Sequence, residues 1–192
     1  MNAHTTMLAT RLRALPRPVW ILFIGTFLNK FGAFVIPFLT LYMTNRGYSV
    51  PQAAAAISSY GIGCFLAAAL GGHLADTFGR RNTIIFSMFS TAAAMLLLSQ
   101  ANSFPAILVI TFFVAATGEL YRPACSALLA DLVPPGERVT AFSAYRMSFN
   151  AGWAFGPATA GFLANHGYMW LFIGDAATSL LFGIVAWLAL PH

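Results

Sequence analysis

Charged residues are scarce in this chain of 192 residues. Aspartate, glutamate, lysine and arginine make up 8% of it, whereas hydrophobic residues make up 59%. An average soluble domain carries about 25% charged residues, so the composition excludes an ordinary soluble domain. Apolar runs near or above the roughly 20 residues that cross a bilayer recur along the chain. The sequence therefore predicts an all-α membrane protein.

Residues that carry catalytic or metal chemistry are also few. The two cysteines, Cys64 and Cys125, lie inside apolar runs, which indicates buried small side chains and neither a disulfide framework nor a metal site. The sequence contains no Gly-x-x-x-x-Gly-Lys-Ser/Thr loop for nucleotide phosphates, and it suggests no catalytic triad or metal cluster. We expect no cofactor, no metal and no enzymatic activity. The net charge of +5 indicates membrane topology and does not indicate nucleic-acid binding.

Turn-forming residues divide the apolar sequence into a basic lead, residues 1–17, and six predicted spans with short loops over residues 18–190. Ser49 as the cap and Pro51 in the first turn are typical of the start of a helix. A tight hairpin over residues 75–81 joins the second and third spans, and Gly79 provides its turn. The predicted spans cover about residues 18–44, 51–74, 82–100, 104–129, 139–163 and 168–190.

The arginines predict how the chain is oriented. Arg46 alone lies on one side of the predicted spans. The other side holds both chain ends, the hairpin and the loop after the fourth span, with Arg11, Arg13, Arg17, Arg80, Arg81 and Arg138. Positively charged loops stay in the cytoplasm. We therefore expect a multi-pass protein of the cell membrane, the inner membrane in a cell with two, with both termini in the cytoplasm.

Polar residues inside the predicted spans form a candidate proton or substrate site, because charges within a membrane are costly and indicate function. Asn29 and Lys30 interrupt the first span, and Arg146 lies in the fifth. Glu119 and Arg122 are three residues apart in the fourth span, so they share a helix face and can pair. Internal ion pairs and side chains that reach the membrane surface are the structural alternative.

Asp175, in the sixth predicted span, lies about two turns from the outer end of that span. The structural alternative, an ion pair or a side chain near the membrane surface, is favoured for this residue and for Arg122.

The hairpin resembles a family signature. Residues 72–81 read Gly-His-Leu-Ala-Asp-Thr-Phe-Gly-Arg-Arg. This is similar to Gly-x-Leu-Ala-Asp-Arg-x-Gly-Arg-Arg/Lys, which the major facilitator superfamily carries between its second and third spans. Only Thr77 departs, where the family has a basic residue. Residues 121–138 resemble the end of the fourth span and the following loop in the same superfamily.

A second motif lies in the fifth predicted span. Residues 152–161 read Gly-Trp-Ala-Phe-Gly-Pro-Ala-Thr-Ala-Gly. They resemble the antiporter motif of the superfamily, Gly-x-x-x-Gly-Pro-x-x-Gly-Gly, with Ala160 in place of one glycine. Close helix packing through small residues is the structural interpretation, and it is compatible with the functional one.

The resemblance implies six transmembrane helices that form the N-terminal half of a major-facilitator fold. Such transporters have two six-span halves around a central cavity. It implies a small-molecule substrate, protons and the lipid bilayer as partners. A second six-span half is implied too, either as a continuation of the chain or as a dimer partner. The chain is most similar to the drug–proton antiporters.

The resemblance also implies two groups of site residues. In the gating motif, Asp76 would face a helix end of the second half and Arg80 would pair with Asp131. The full gating motif comprises Gly72, Asp76, Gly79, Arg80, Arg81 and Asp131. The antiporter motif comprises Gly152, Gly156, Pro157 and Gly161. Because spans one and four line the cavity in this fold, Glu119 is the implied protonatable carboxylate. A purely topological turn is the alternative for the hairpin.

Three functions follow as hypotheses. The first is proton-coupled export of small molecules by alternating access, which the antiporter motif favours. The second is uptake of a small anion or sugar by proton symport, which Lys30, Arg122 and Arg146 would suit. The third is a six-span binding or sensor protein that does not transport.

Overall fold

The computed structural model describes residue 12 and residues 14–191, and every regular element in that part of the chain is helical. Arg11 and Arg13, two of the arginines on which the predicted orientation rests, lie outside the described residues. A single 3₁₀ turn, Pro135–Glu137, precedes α7. The α-helices are α1 (Arg17–Phe31), α2 (Val35–Asn45), α3 (Val50–Phe78), α4 (Arg80–Gln100), α5 (Phe104–Gly118), α6 (Tyr121–Leu132), α7 (Arg138–His166) and α8 (Met169–Ala189).

Five helical stretches within the described residues are long and apolar enough to cross a membrane. They are Arg17–Asn45, Val50–Phe78, Arg80–Gln100, Phe104–Leu132 and Met169–Ala189. The fifth predicted span corresponds to α7. This helix has 29 residues, enough to cross a bilayer at about 1.5 Å per residue, but by composition it is not among the five stretches that are apolar enough to do so. The fold is thus an all-helical membrane bundle with five spans evident from length and composition.

The predicted hairpin over residues 75–81 is helical except at Gly79. Helix α3 continues to Phe78 and α4 begins at Arg80, so both are longer than the predicted spans. Gly79 has a φ of 85°, which a residue with a Cβ resists. Side chains of the first turn of α4 donate hydrogen bonds to carbonyls near the end of α3: Asn82 Nδ2 donates to the Phe78 oxygen (3.1 Å) and Thr83 Oγ1 donates to the Leu74 oxygen (3.2 Å). These bonds explain why the helix persists so close to the turn.

Two predicted spans are broken within the bundle, and each break lies about four residues before a proline. Proline has no N–H for the carbonyl four residues earlier, and its ring clashes with that carbonyl. Pro37 acts in this way on Ala33, within the gap between α1 and α2. Pro123 acts on Glu119, within the gap between α5 and α6. The second break was not predicted from the sequence.

The helices pack in three main pairs: α3 along α5, α4 along α8, and α1 along α7. Two apolar clusters fill the interior. The cluster nearer the hairpin includes Leu22, Ile84, Met88, Cys125 and Phe182. The cluster at the opposite end includes Leu39, Met43, Leu98, Ile107 and Phe172. The breaks lie where the chain passes from one cluster to the other, which places polar backbone and charged side chains at mid-bundle.

Candidate functional site

A cavity of about 580 Å³ opens beside the break between α5 and α6. Helix α3 contributes Cys64 to its wall, and α6 contributes Ser126. Helix α7 contributes a face that includes Phe142, Phe149 and Asn150. Three charged residues line the cavity: Glu119, Arg122 and Arg146. The cavity is therefore a mixed site, with aromatic walls and charge of both signs.

Glu119 lies between two cations. Lys30 Nζ donates to Glu119 Oε1 at 2.8 Å, and Arg122 Nη1 donates to Oε2 at 3.2 Å. The Lys30 and Glu119 side chains are 5% and 13% exposed, so this ion pair is largely removed from solvent. The Lys30 ammonium also lies 5.3 Å from the Phe149 ring centroid and 5.4 Å from that of Tyr121. The free-energy cost of burying these two charges is offset because each has a partner of opposite sign, and the aromatic rings add cation–π contacts to Lys30.

The ion pair joins the two helix breaks. Lys30 is the penultimate residue of α1, and Glu119 directly follows α5. Since Pro123 cannot donate to the Glu119 carbonyl, the chain leaves the helical path there and Glu119 reaches the cavity wall. The Lys30–Glu119 ion pair is thus a direct contact between the break in the fourth predicted span and the end of α1.

Asp175 supports the first break from α8. Its Oδ2 accepts the backbone N–H of Val35 at 3.4 Å, and the residue is 4% exposed. Val35 is the first residue of α2, and the N–H groups in the first turn of a helix have no carbonyl partner within that helix. The expectation of an ion pair or a surface position for Asp175 is therefore wrong. The residue is deeply buried, and it makes no ion pair with another described residue.

The five candidate proton or substrate residues take different positions. Glu119, Arg122 and Arg146 line the cavity, and Lys30 lies behind Glu119. Asn29 is directed elsewhere, because its amide donates to Met88 Sδ on α4 at 3.6 Å. Sequence reasoning missed the remaining cavity residues on α7. Their spacing was the available signal: positions 142, 145, 146, 149 and 150 follow the three- and four-residue steps of one helix face.

The gating-motif residues lie at the hairpin end of the bundle. Arg80 contacts Asp131 and also donates to the Ala127 oxygen at 3.2 Å. Arg81 bonds the Trp187 oxygen near the end of α8. These arginines thus meet the carbonyl ends of α6 and α8, where positive charge is favourable. Asp76 is exposed on α3 and makes no ion pair within the described chain.

Gly72 is exposed on α3, and a Cβ there would meet nothing within 4 Å. Gly79 forms the turn between α3 and α4. The motif is thus confined to the end of the bundle and lies apart from the cavity lining.

The antiporter-motif residues hold α7 against α1. Gly152, Gly156 and Ala160 are buried on one face of α7. An ideal Cβ at position 152 would lie 2.7 Å from the Phe27 carbonyl oxygen, and one at position 156 would lie 2.6 Å from the Phe31 oxygen. The two backbones therefore approach as closely as glycine permits.

The rest of the antiporter motif is less tightly packed. Pro157 lies half-buried within the continuous helix α7. A Cβ at Gly161 would be 3.9 Å from Phe38, an ordinary contact. The close approach of α7 to the first span is therefore concentrated at the first two glycines of the motif.

The chain belongs to the Major Facilitator Superfamily, whose family model matches residues 22–192. It is 30% identical over 171 residues to the uncharacterized MFS-type transporter YqjV of Bacillus subtilis, with 86% of this chain and 41% of that protein covered. It is 20% identical over 166 residues to the quinolone resistance protein NorA of Staphylococcus aureus, with 86% and 43% covered. The chain thus spans about two fifths of the length of these relatives. The family is one of transporters, not enzymes.

Solved structures share the fold. The peptide transporter POT in complex with sulfate superposes with a TM-score of 0.79 at 24% identity, over 89% of this chain and 37% of that one. A D-xylose–proton symporter superposes with a TM-score of 0.72 at 17% identity, over 91% of this chain and 48% of that one. The helical bundle is therefore similar to a part of these larger transporters.

Proposed function

We propose that this chain is one half of a proton-coupled secondary transporter that exports small molecules by alternating access. The observation that carries the proposal is the carboxylate of Glu119, which forms part of the cavity wall and is bonded to Lys30 and Arg122. A carboxylate at a cavity can exchange a proton with bound water or substrate. Protonation would remove its charge and release both cations, one of which adjoins the break in the first span.

Six spans, with α7 among them, form the half-transporter that we propose. A sixth span is supported by the length of α7 and by its close packing on α1, which is itself part of a membrane-spanning stretch. Substrate and protons would reach the cavity alternately from the two sides as this half moves against a second one. The arginines at the hairpin end favour a cytoplasmic location for that end.

Export is supported by the antiporter motif and by one named relative. Gly152 and Gly156 bring α7 into backbone contact with the first span, which would seal one side of the cavity. The relative NorA, at 20% identity, is named as a quinolone resistance protein. Both features favour outward movement of a small molecule in exchange for protons.

Uptake of a small anion by proton symport is the second candidate. Arg122 and Arg146 line the cavity with guanidinium groups that suit an anion. The direction of substrate-coupled proton movement separates this candidate from export. A six-span binding or sensor protein would show no substrate-coupled proton movement in either direction.

The test uses protein from the complete reading frame, reconstituted in liposomes that enclose a pH-sensitive dye. We expect that adding a substrate on one side moves protons across the membrane, and that opposite movement of substrate and protons indicates exchange. Movement in the same direction would support symport instead. Screening should include organic anions and cationic drugs that share an aromatic body, so that charge is the variable.

A further inference from the structure

We propose that the cavity takes an organic anion, and that Arg146 is the group that meets the ligand's charge. The ligand would carry a carboxylate, sulfonate or phosphonate group on a small apolar body. The proposal rests on the proposed function only in taking this cavity as the transport site. Its test below does not depend on transport.

The charges around the cavity do not cancel. Glu119 is the one carboxylate among the described residues that line it, and both of its oxygens are bonded, to Lys30 at 2.8 Å and to Arg122 at 3.2 Å. Arg146 is exposed to the cavity and forms no ion pair with another described residue. Among the described residues that line the cavity, two positive charges thus stand against one negative charge, which leaves an excess of one.

The site suits an anion in shape as well as in charge. A concave wall of low dielectric constant concentrates the field of the charges that line it, which attracts ions of opposite sign. The guanidinium of Arg146 offers parallel N–H groups that match the two oxygens of a carboxylate. Asn150 lies one helical turn further along α7 and can add an amide donor. Phe142 and Phe149 provide aromatic surface for the apolar body of the ligand.

The cavity also contains a native chemical reporter. Cys64 lies in its wall and is partly exposed, whereas Cys125 is buried. Two methanethiosulfonate reagents differ chiefly in charge: the sulfonatoethyl form is an anion and the trimethylammonioethyl form is a cation. In each reaction the cysteine thiolate attacks the reagent's divalent sulfur, a mixed disulfide forms, and methanesulfinate leaves. Because both reagents attack the same thiolate, its acidity cancels from the ratio of their rates.

The experiment measures labelling of Cys64 by mass spectrometry in protein from the complete reading frame, with the Cys64→Ser variant to identify the signal. Each rate is divided by the rate of the same reagent with 2-mercaptoethanol. We expect the anionic reagent to be faster by about 3- to 10-fold at low salt, and the ratio to fall as salt screens the field. Arg146→Gln should bring the ratio close to one.

Arg17→Gln is the matched control. It also removes one positive charge, but Arg17 is exposed at the start of α1 and is not part of the cavity wall. The ratio should be unchanged in this variant. Equal falls in the two variants would show that net charge alone sets the ratio, and would overturn the assignment of Arg146.

Two further results would overturn the proposal. A normalised ratio of one or below in the unmodified protein would mean that the cavity does not favour anions. Labelling of Cys64 by neither reagent would mean that no open cavity exists there. Failure of transport is a separate result, because a high ratio without substrate-coupled proton flux would leave the anion site intact. Conversely, proton flux with a ratio of one would keep transport and remove the anionic substrate class.

Discussion

At the scale of single residues, the mid-bundle depends on a few polar groups with definite partners. Glu119 holds Lys30 and Arg122, and Asp175 receives the N–H of Val35. Charge and spacing in the sequence suggested that Glu119 and Arg122 pair, and they do. The Lys30 contact joins residues 89 positions apart, so no local pattern could give it. The role of Asp175 was missed for the same reason, because its partner is a backbone group 140 positions away.

Substitution of Asp175 tests its role at the first break. Asp175→Asn keeps an oxygen that can accept the Val35 N–H, whereas Asp175→Leu has a similar size and no acceptor. We expect thermal unfolding in detergent to be little changed in the Asn variant. The Leu variant should lose roughly 1–3 kcal/mol, because a buried N–H is left without a partner. Equal stability of the two variants would contradict this role of the carboxylate.

At the scale of helices, prolines determine where the chain bends. Pro37 and Pro123 each lie in the first turn of a helix, where proline is tolerated, and each lacks the N–H that would bond the carbonyl four residues earlier. The break in the fourth predicted span could therefore have been predicted from the position of Pro123. Apolar periodicity hid it, because both halves of the span are hydrophobic. The cap at Ser49 was predicted and is confirmed, since its side chain accepts the N–H of Gln52.

At the hairpin, by contrast, the sequence predicted a loop where the structure is mostly helical. Charged residues suggested a loop over residues 75–81, but charge at a helix end is also compatible with helix. Asn82 and Thr83 donate hydrogen bonds to carbonyls near the end of α3, and only Gly79 leaves the helical conformation. Sequence reasoning located the turn residue correctly and overestimated the length of the turn.

The contact of α7 with α1 can be tested by adding single methyl groups. Gly156→Ala places a Cβ against the Phe31 carbonyl oxygen, a backbone atom that cannot rotate away. We expect a loss of about 1–3 kcal/mol and a lower Tm in detergent. Gly61→Ala is the matched control, because the Cβ added in α3 meets nothing within 4 Å and alanine favours helix. Equal Tm values for Gly156→Ala and Gly61→Ala would contradict the close packing.

At the scale of the whole molecule, two observations bear on how the described bundle would contact a second half. Asp76 is exposed at the hairpin end without an ion pair among the described residues, although Arg80 has one in Asp131. The curated relatives named above are more than twice as long as the stretch that they share with this chain. We therefore propose that Asp76 acts as a latch, with a partner in a second half. The contact would form and break as the halves move.

The latch predicts a specific defect in the complete transporter. Asp76→Asn should insert into the membrane normally and transport more slowly, because the contact that stabilises one state is weakened. Glu137→Gln is the control, since it also removes a carboxylate near this end of the bundle, on the 3₁₀ turn before α7. Transport at the unmodified rate in Asp76→Asn would count against the latch.

The central claim is that Glu119 couples protons to the movement of substrate. The most direct measurement is substrate-driven proton flux in proteoliposomes across a range of pH, for the unmodified protein and for Glu119→Gln, with Glu137→Gln as the control. The account predicts that flux in Glu119→Gln falls at least about tenfold, which corresponds to a barrier about 1.4 kcal/mol higher, while the control keeps its flux and pH dependence. Unaltered flux and pH dependence in Glu119→Gln would remove Glu119 from the coupling role.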